Sequence, residues 1–205
     1  MRMELNPVKV PISSISGIAA ILIFCSLLLA AISLFPGGIS PVDNWISDLG
    51  NSNLNPGGSG LFNGACMIAG GLMIIFFAGF YQWYTIETWR NAFVVVAQIA
   101  GAFAGLSLFM VGYYPETFVP EHFMWSAAFF VSSFVAMLLA NAGLLTHLGY
   151  DRVTVYSGAA AVAVSLVFIA GMAAGLEFPV FEWLSVGLLL AWAALMSYNM
   201  YRWFK

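Results

Sequence analysis

The chain has 205 residues, 62% of them hydrophobic and only 7% charged, with a net charge of −3. Globular chains are about 45–50% apolar and about 25% charged. Too few charged side chains remain to clothe a water-facing surface, so lipid solvates much of the chain. A soluble enzyme, a nucleic-acid-binding protein and a disordered tail are excluded.

Six apolar segments follow one another at roughly 12–35, 60–83, 92–114, 121–147, 154–176 and 179–202. Each is long enough, at about 1.5 Å per residue, to cross about 30 Å of hydrocarbon as a helix. None alternates with the period of two that a membrane β-barrel requires. The expected fold class is therefore all-α: a polytopic six-transmembrane-helix bundle, one domain over residues 1–205. The first run, Ile12 to Phe35, exceeds the apolar region of a cleaved leader (about 7–15 residues). No convincing small-x-small cleavage site follows it before Pro36, so this run reads as a retained span.

The connection 36–59, PGGISPVDNWISDLGNSNLNPGGS, is longer than a minimal link needs, and long ordered loops are often functional. Within it DNWISDLG predicts a short helix. Asp43 would cap its start, Trp45, Ile46 and Leu49 would form its buried side, and Gly50 would end it. The segment is expected to lie on, or dip into, one mouth of the bundle.

Small residues predict where helices approach closely, because lipid gives no hydrophobic drive between them. Gly60, Gly64, Gly70 and Gly71 lie in span two, and Ala97, Gly101 and Gly105 in span three. Ala159, Ala163, Gly171 and Gly175 lie in span five. Spans two, three and five are thus the expected crowded interior. Gln98 in span three and Asn141 in span four lie at similar depth, and a hydrogen bond between them is expected. Cys25 and Cys66 fall inside apolar runs and read as small hydrophobes.

The charges segregate. Arg2, Lys9, Arg90, Arg152, Arg202 and Lys205 all fall on one side of a six-span layout. The positive-inside rule places that side, with both termini, in the cytoplasm of a multi-pass protein of the cell membrane. Asp43, Asp48, Glu116, Glu121, Glu177 and Glu182 collect on the other side without a lysine or arginine.

Candidate chemistry lies at that acidic, outer mouth. Span four opens with Pro120, Glu121 and His122, and Ser126 shares a helix face with His122. Span six opens with Pro179 and Glu182, and Ser185 shares a face with Glu182. Asn63 enters span two at comparable depth. Proline and an acid in the first turn are also what an ordinary helix start needs, which accounts for much of Glu121 and Glu182. His122 is the residue least explained that way. His147 lies at the far end of span four, about 35–38 Å away by helix rise, so one chain cannot assemble a three-histidine zinc site.

The residues NWISDLGNSNLNPGGSGLFN and GYYPETFVPEHFMWSAAFF, set in a six-span layout, resemble a prokaryotic six-helix membrane family of unknown function, DUF998. The chain is also distantly similar to FRAG/DRAM/SFK-like membrane proteins, through Ile46, Ser47, Asp48, Leu49 and Gly50. A second element comprises Gly112, Pro115, Glu116 and His122. The DUF998 resemblance implies a fold and a membrane location, and no activity; the distant likeness tilts expectation toward lipids.

The leading expectation is a membrane protein that binds a lipid headgroup, small amphiphile or cation through Asp43, Asp48, Asn63, Glu116, His122, Glu182 and Ser185. The rival is a membrane-embedded hydrolase pairing His122 with Asp48 or Glu121 and using Ser126 as nucleophile. A small transporter or channel ranks third, because the halves show no similarity. No cofactor is expected, although the acidic mouth would admit a divalent cation. Membrane lipid is the expected partner, nucleic acid is not, and a homo-oligomer is compatible with the chain.

Overall fold

The computed structural model describes residues 11–204. Arg2, Lys9 and Lys205, which contribute to the charge segregation, lie outside the described residues. The chain forms α1 (Ile12–Ser33), α2 (Ser59–Ala78), α3 (Thr88–Tyr113), α4 (Val119–Leu144), α5 (Arg152–Ala173) and α6 (Pro179–Phe204). Two 3-10 turns, Ile46–Gly50 and Gly79–Trp83, complete the elements. All six helices are long and apolar enough to cross a membrane, and no strand occurs among the described residues. The protein is an all-α, multi-pass membrane protein.

Each helix packs on the one before it, and α6 returns to α1, so the six close into a ring. Residues such as Leu22, Leu29, Ile99 and Leu166 are exposed on its outside, as lipid contact requires. Glycines set the tightest approaches. A Cβ at Gly105 of α3 would lie 2.7 Å from the Gly70 carbonyl of α2, and one at Gly143 of α4 would lie 3.0 Å from Phe93 of α3.

Here the expectation for span five needs correction. Gly171 has nothing within 4 Å, Gly175 ends the helix region at φ +73, and only Gly158 meets a neighbour, the Asn141 side chain. The small residues that α5 buries are Gly158, Ala161 and Ser165 rather than the expected set, and polar tethers add to them. Asn141 donates to the Val155 carbonyl at 3.0 Å and accepts from the Tyr150 hydroxyl, while Asn199 donates to Thr154 Oγ1 at 2.6 Å.

Gln98 and Asn141 do not pair. Gln98 donates to the Ala78 carbonyl and accepts from the Tyr84 hydroxyl, both at 2.8 Å. Both partners lie at the end of α2 and just beyond it, not on α4.

The ring's centre is aromatic at depth. Phe76, Phe77, Phe80 and Trp192 are fully buried, with Trp192 stacked on Phe77 at 6.3 Å. Trp192 Nε1 donates to the Tyr150 hydroxyl at 3.1 Å. At the basic end His147 sits edge-on between Trp83 and Trp203, with ring centroids 5.0 and 4.8 Å away.

Candidate functional site

The Ile46–Gly50 turn covers the acidic end of the ring. Asp48, not Asp43, caps it. Asp48 Oδ2 accepts from the Trp45 N–H and from Asn44 Nδ2, each at 3.1 Å, while Asp43 is exposed. A 3-10 turn is only a few residues long, so a carboxylate in its third position reaches the leading N–H directly. Ile46 and Leu49 are buried as expected, and Trp45 is half-buried.

Side chains from α2, from α6 and from the loop itself tie this cover down. Glu182 Oε2 of α6 accepts from the Ile46 N–H at 2.7 Å, and the Ser47 N–H also bonds the carboxylate. Trp183 Nε1 of α6 donates to the Asn44 carbonyl at 2.9 Å. Asn63 Nδ2 of α2 donates to the Gly50 carbonyl at 3.0 Å. Asn55, at 0% exposure, donates to the Leu49 carbonyl at 3.0 Å and to the Ala31 carbonyl, at the end of α1, at 3.2 Å.

Three of the six acids converge at this end: Asp48, Glu116 and Glu182. The Asp48 carboxylate lies close enough to Glu116 for the two like charges to act on each other. Burial pushes the Glu116 carboxyl above the usual carboxylate range, and Asp48 pushes it further. The Asn51 amide, donating to Glu116 Oε2 at 3.1 Å, acts in the opposite direction. Glu182 feels both other acids. Asp43, Glu121 and Glu177 are exposed and stand apart from this group. Among the described residues, no group of three or more His, Cys, Asp or Glu side chains is placed to hold a metal ion.

His122 is buried, at 8% exposure, but it faces α3. Its Nδ1 lies 2.8 Å from the Tyr114 carbonyl, and the Val111 carbonyl is a second partner. Carbonyls in the last turn of a helix have no intrahelical donor, and the imidazole supplies one. A carbonyl only accepts, so Nδ1 carries the proton. Ser126 is half-buried and lines the space inside the ring. Ser185 is buried, and its hydroxyl has no partner.

Beneath the cover lies a cavity along the ring axis, with about 80 Å³ open to the centre of a water molecule. That is room for roughly six waters by the space one water centre needs. Ile46, Ser47 and Glu182 line its acidic end; Phe24, Phe62, Phe129 and Leu189 wall it, and Phe77 and Trp192 line it at depth. Its lining is almost wholly apolar, with Glu182 the one ionisable carboxyl. Sequence reasoning expected a polar cavity at this mouth, and missed Asn44, Asn51, Asn55, Trp183 and the cavity's apolar depth. The run of asparagines between positions 44 and 55 carried a signal, since Asn readily bonds nearby backbone in turns.

No curated protein and no solved structure matches the chain. The family comparison does match: residues 18–199 fit the family described as protein of unknown function DUF998. The chain belongs to the DUF998 family.

Proposed function

We propose that this protein binds an amphiphile within the membrane, its apolar chain lying along the ring axis and its polar end beneath the Ile46–Gly50 cover. The observation that carries the reading is the cavity running from Glu182 and Ser47 to Phe77 and Trp192. An apolar space is poorly suited to water, whereas hydrocarbon fills it without loss of hydrogen bonds. The acids give the same space one polar end. The hydrolase reading finds less support, because His122 Nδ1 is engaged by the Tyr114 carbonyl.

The test is photo-crosslinking in lipid nanodiscs with a twelve-carbon alcohol carrying a mid-chain diazirine. Crosslinks are expected on Met73, Leu189 and Leu190, which line the cavity. Filling the space with Ala69→Phe or Ala193→Phe should abolish them while thermal unfolding still reports a folded protein. Crosslinks confined to lipid-facing residues such as Leu22 and Leu29 would rule the reading out.

A further inference from the structure

We infer that the cavity selects a single-chain amphiphile whose head is a hydroxyl or a protonated amine, and that it discriminates against phosphate and carboxylate heads. This rests on the reading of the cavity as a chain-binding site and adds the chemistry of its polar end.

The first argument is charge. Glu182 is 6% exposed and lines the cavity beside Ser47. Its carboxylate feels Asp48 and Glu116. Among the described residues the three cations, Arg90, Arg152 and Arg202, all belong to the opposite end of the bundle. An anionic head would join a cluster of acids with no counter-charge, in surroundings where charges are weakly screened. An ammonium would supply the charge the cluster lacks.

The second argument is hydrogen bonding. A carboxyl group accepts at its oxygens, with up to about four lone-pair sites. Two backbone N–H groups, of Ile46 and Ser47, engage Glu182, which leaves accepting capacity toward the cavity. A hydroxyl or ammonium head donates into it. A fully ionised phosphate cannot donate.

The third argument is shape. Glu182 and Ala193 of α6 both line the cavity, and eleven helical steps separate them by about 16 Å. That length takes roughly a dozen extended methylenes at carbon–carbon bond lengths like those of the backbone. At the deep end Trp192 is held from behind by Tyr150 and stacked on Phe77. About 80 Å³ open to the centre of a water molecule, spread over that length, leaves a cross-section for one chain, which favours a long-chain alcohol or amine over a two-chain lipid.

The experiment is competition against the diazirine alcohol in zwitterionic nanodiscs at pH 7.5, with dodecanol, dodecylamine, dodecanoate and dodecyl phosphate. Dodecanol and dodecylamine should compete at concentrations at least tenfold lower than the two anions. Dodecylamine ahead of dodecanol would identify the amine as the preferred head, and the reverse order the alcohol. Ser47→Lys, which adds a cation at the polar end, should bring dodecyl phosphate level with dodecanol. Glu182→Gln, which keeps an acceptor for the Ile46 N–H, should narrow the amine-to-phosphate gap at least threefold. Equal competition by all four heads, or anions ahead, overturns the selectivity and leaves the chain site standing. Absence of any cavity crosslink in the untreated protein removes the chain site itself, and the selectivity with it.

Discussion

Glu182 in the first turn of α6 accepts a 2.7 Å hydrogen bond from the backbone N–H of Ile46, which lies 136 positions earlier in the chain. The bond joins the two ends of the ring's sequence across its acidic mouth and holds the cover over the cavity. Glu182→Ala leaves buried N–H groups without a partner, an omission that costs about 1–3 kcal/mol. Glu182→Gln retains an amide oxygen to accept and should lose less. Unfolding in mild detergent should rank wild type above Gln and Gln above Ala. Hydrogen exchange at residues 44–50 should accelerate in the Ala variant alone. Equal exchange in all three proteins would show that Glu182 does not hold the cover.

The Asp48–Glu116 contact makes stability depend on pH. Burial, reinforced by Asp48, raises the Glu116 carboxyl above its unfolded value. A raised folded value means the native state holds a proton the unfolded state has released. The stabilisation is full below the ordinary glutamate value of about 4.3 and is lost as pH rises through the folded value. Wild-type Tm should therefore fall, relative to Glu116→Gln, as pH is raised from about 4.3 toward neutrality. The Gln variant stays uncharged at every pH. Parallel Tm curves for the two proteins would show that Glu116 carries no such coupling.

The membrane spans were legible because a crossing needs little more than apolar length, and the boundaries differ where local chemistry intervenes. Span four stops at Leu144 rather than running on to His147, because the chain turns there, with the His147 N–H on the Leu144 carbonyl. The short element at DNWISDLG was legible from its buried Ile46 and Leu49, but not its cap. Asp43 and Asp48 are both plausible caps by spacing, and only the backbone path decides between them. The acidic mouth was legible as a collection of like charges. Which three acids turn inward depends on how α6 and the α3–α4 turn approach the cover, and that is a tertiary property. A polar cavity at the mouth was legible from the converging side chains, but its apolar depth was not, because an axial space arises only once six helices close on themselves. His122 stood out for its residue type, yet its partners are main-chain carbonyls, which no side-chain pattern reveals.

Close approach of α2 and α3 gives a sharp contrast between two glycines. A Cβ at Gly105 would meet the Gly70 carbonyl at 2.7 Å and Ile74 Cγ1 at 2.9 Å, whereas one at Gly171 would meet nothing within 4 Å. Overpacking against backbone costs about 1–3 kcal/mol because backbone yields less readily than a side chain. Gly105→Ala should lower unfolding stability by that order, and Gly171→Ala should leave it unchanged or slightly higher. Comparable losses at both positions would contradict the ring packing, since α5 would then have to be as crowded as α3.

His122 and Ser126 share a face of α4 but serve different partners, and a double-mutant cycle separates them. The imidazole satisfies carbonyls at the end of α3, whereas Ser126 lines the axial cavity. His122→Ala leaves those carbonyls without their donor and should cost about 1 kcal/mol or somewhat more. Ser126→Ala removes a half-buried hydroxyl and should change stability by less. Residues without a shared partner add within about 0.3–0.5 kcal/mol, so the double variant should equal the sum of the singles. A catalytic serine–histidine pair would instead be hydrogen-bonded and would couple by more than that. Substantial coupling would return His122 to the cavity and revive a nucleophilic role for Ser126. Additivity would leave the histidine as the cap of α3 and the cavity as a binding space whose polar end is built from Glu182 and Ser47.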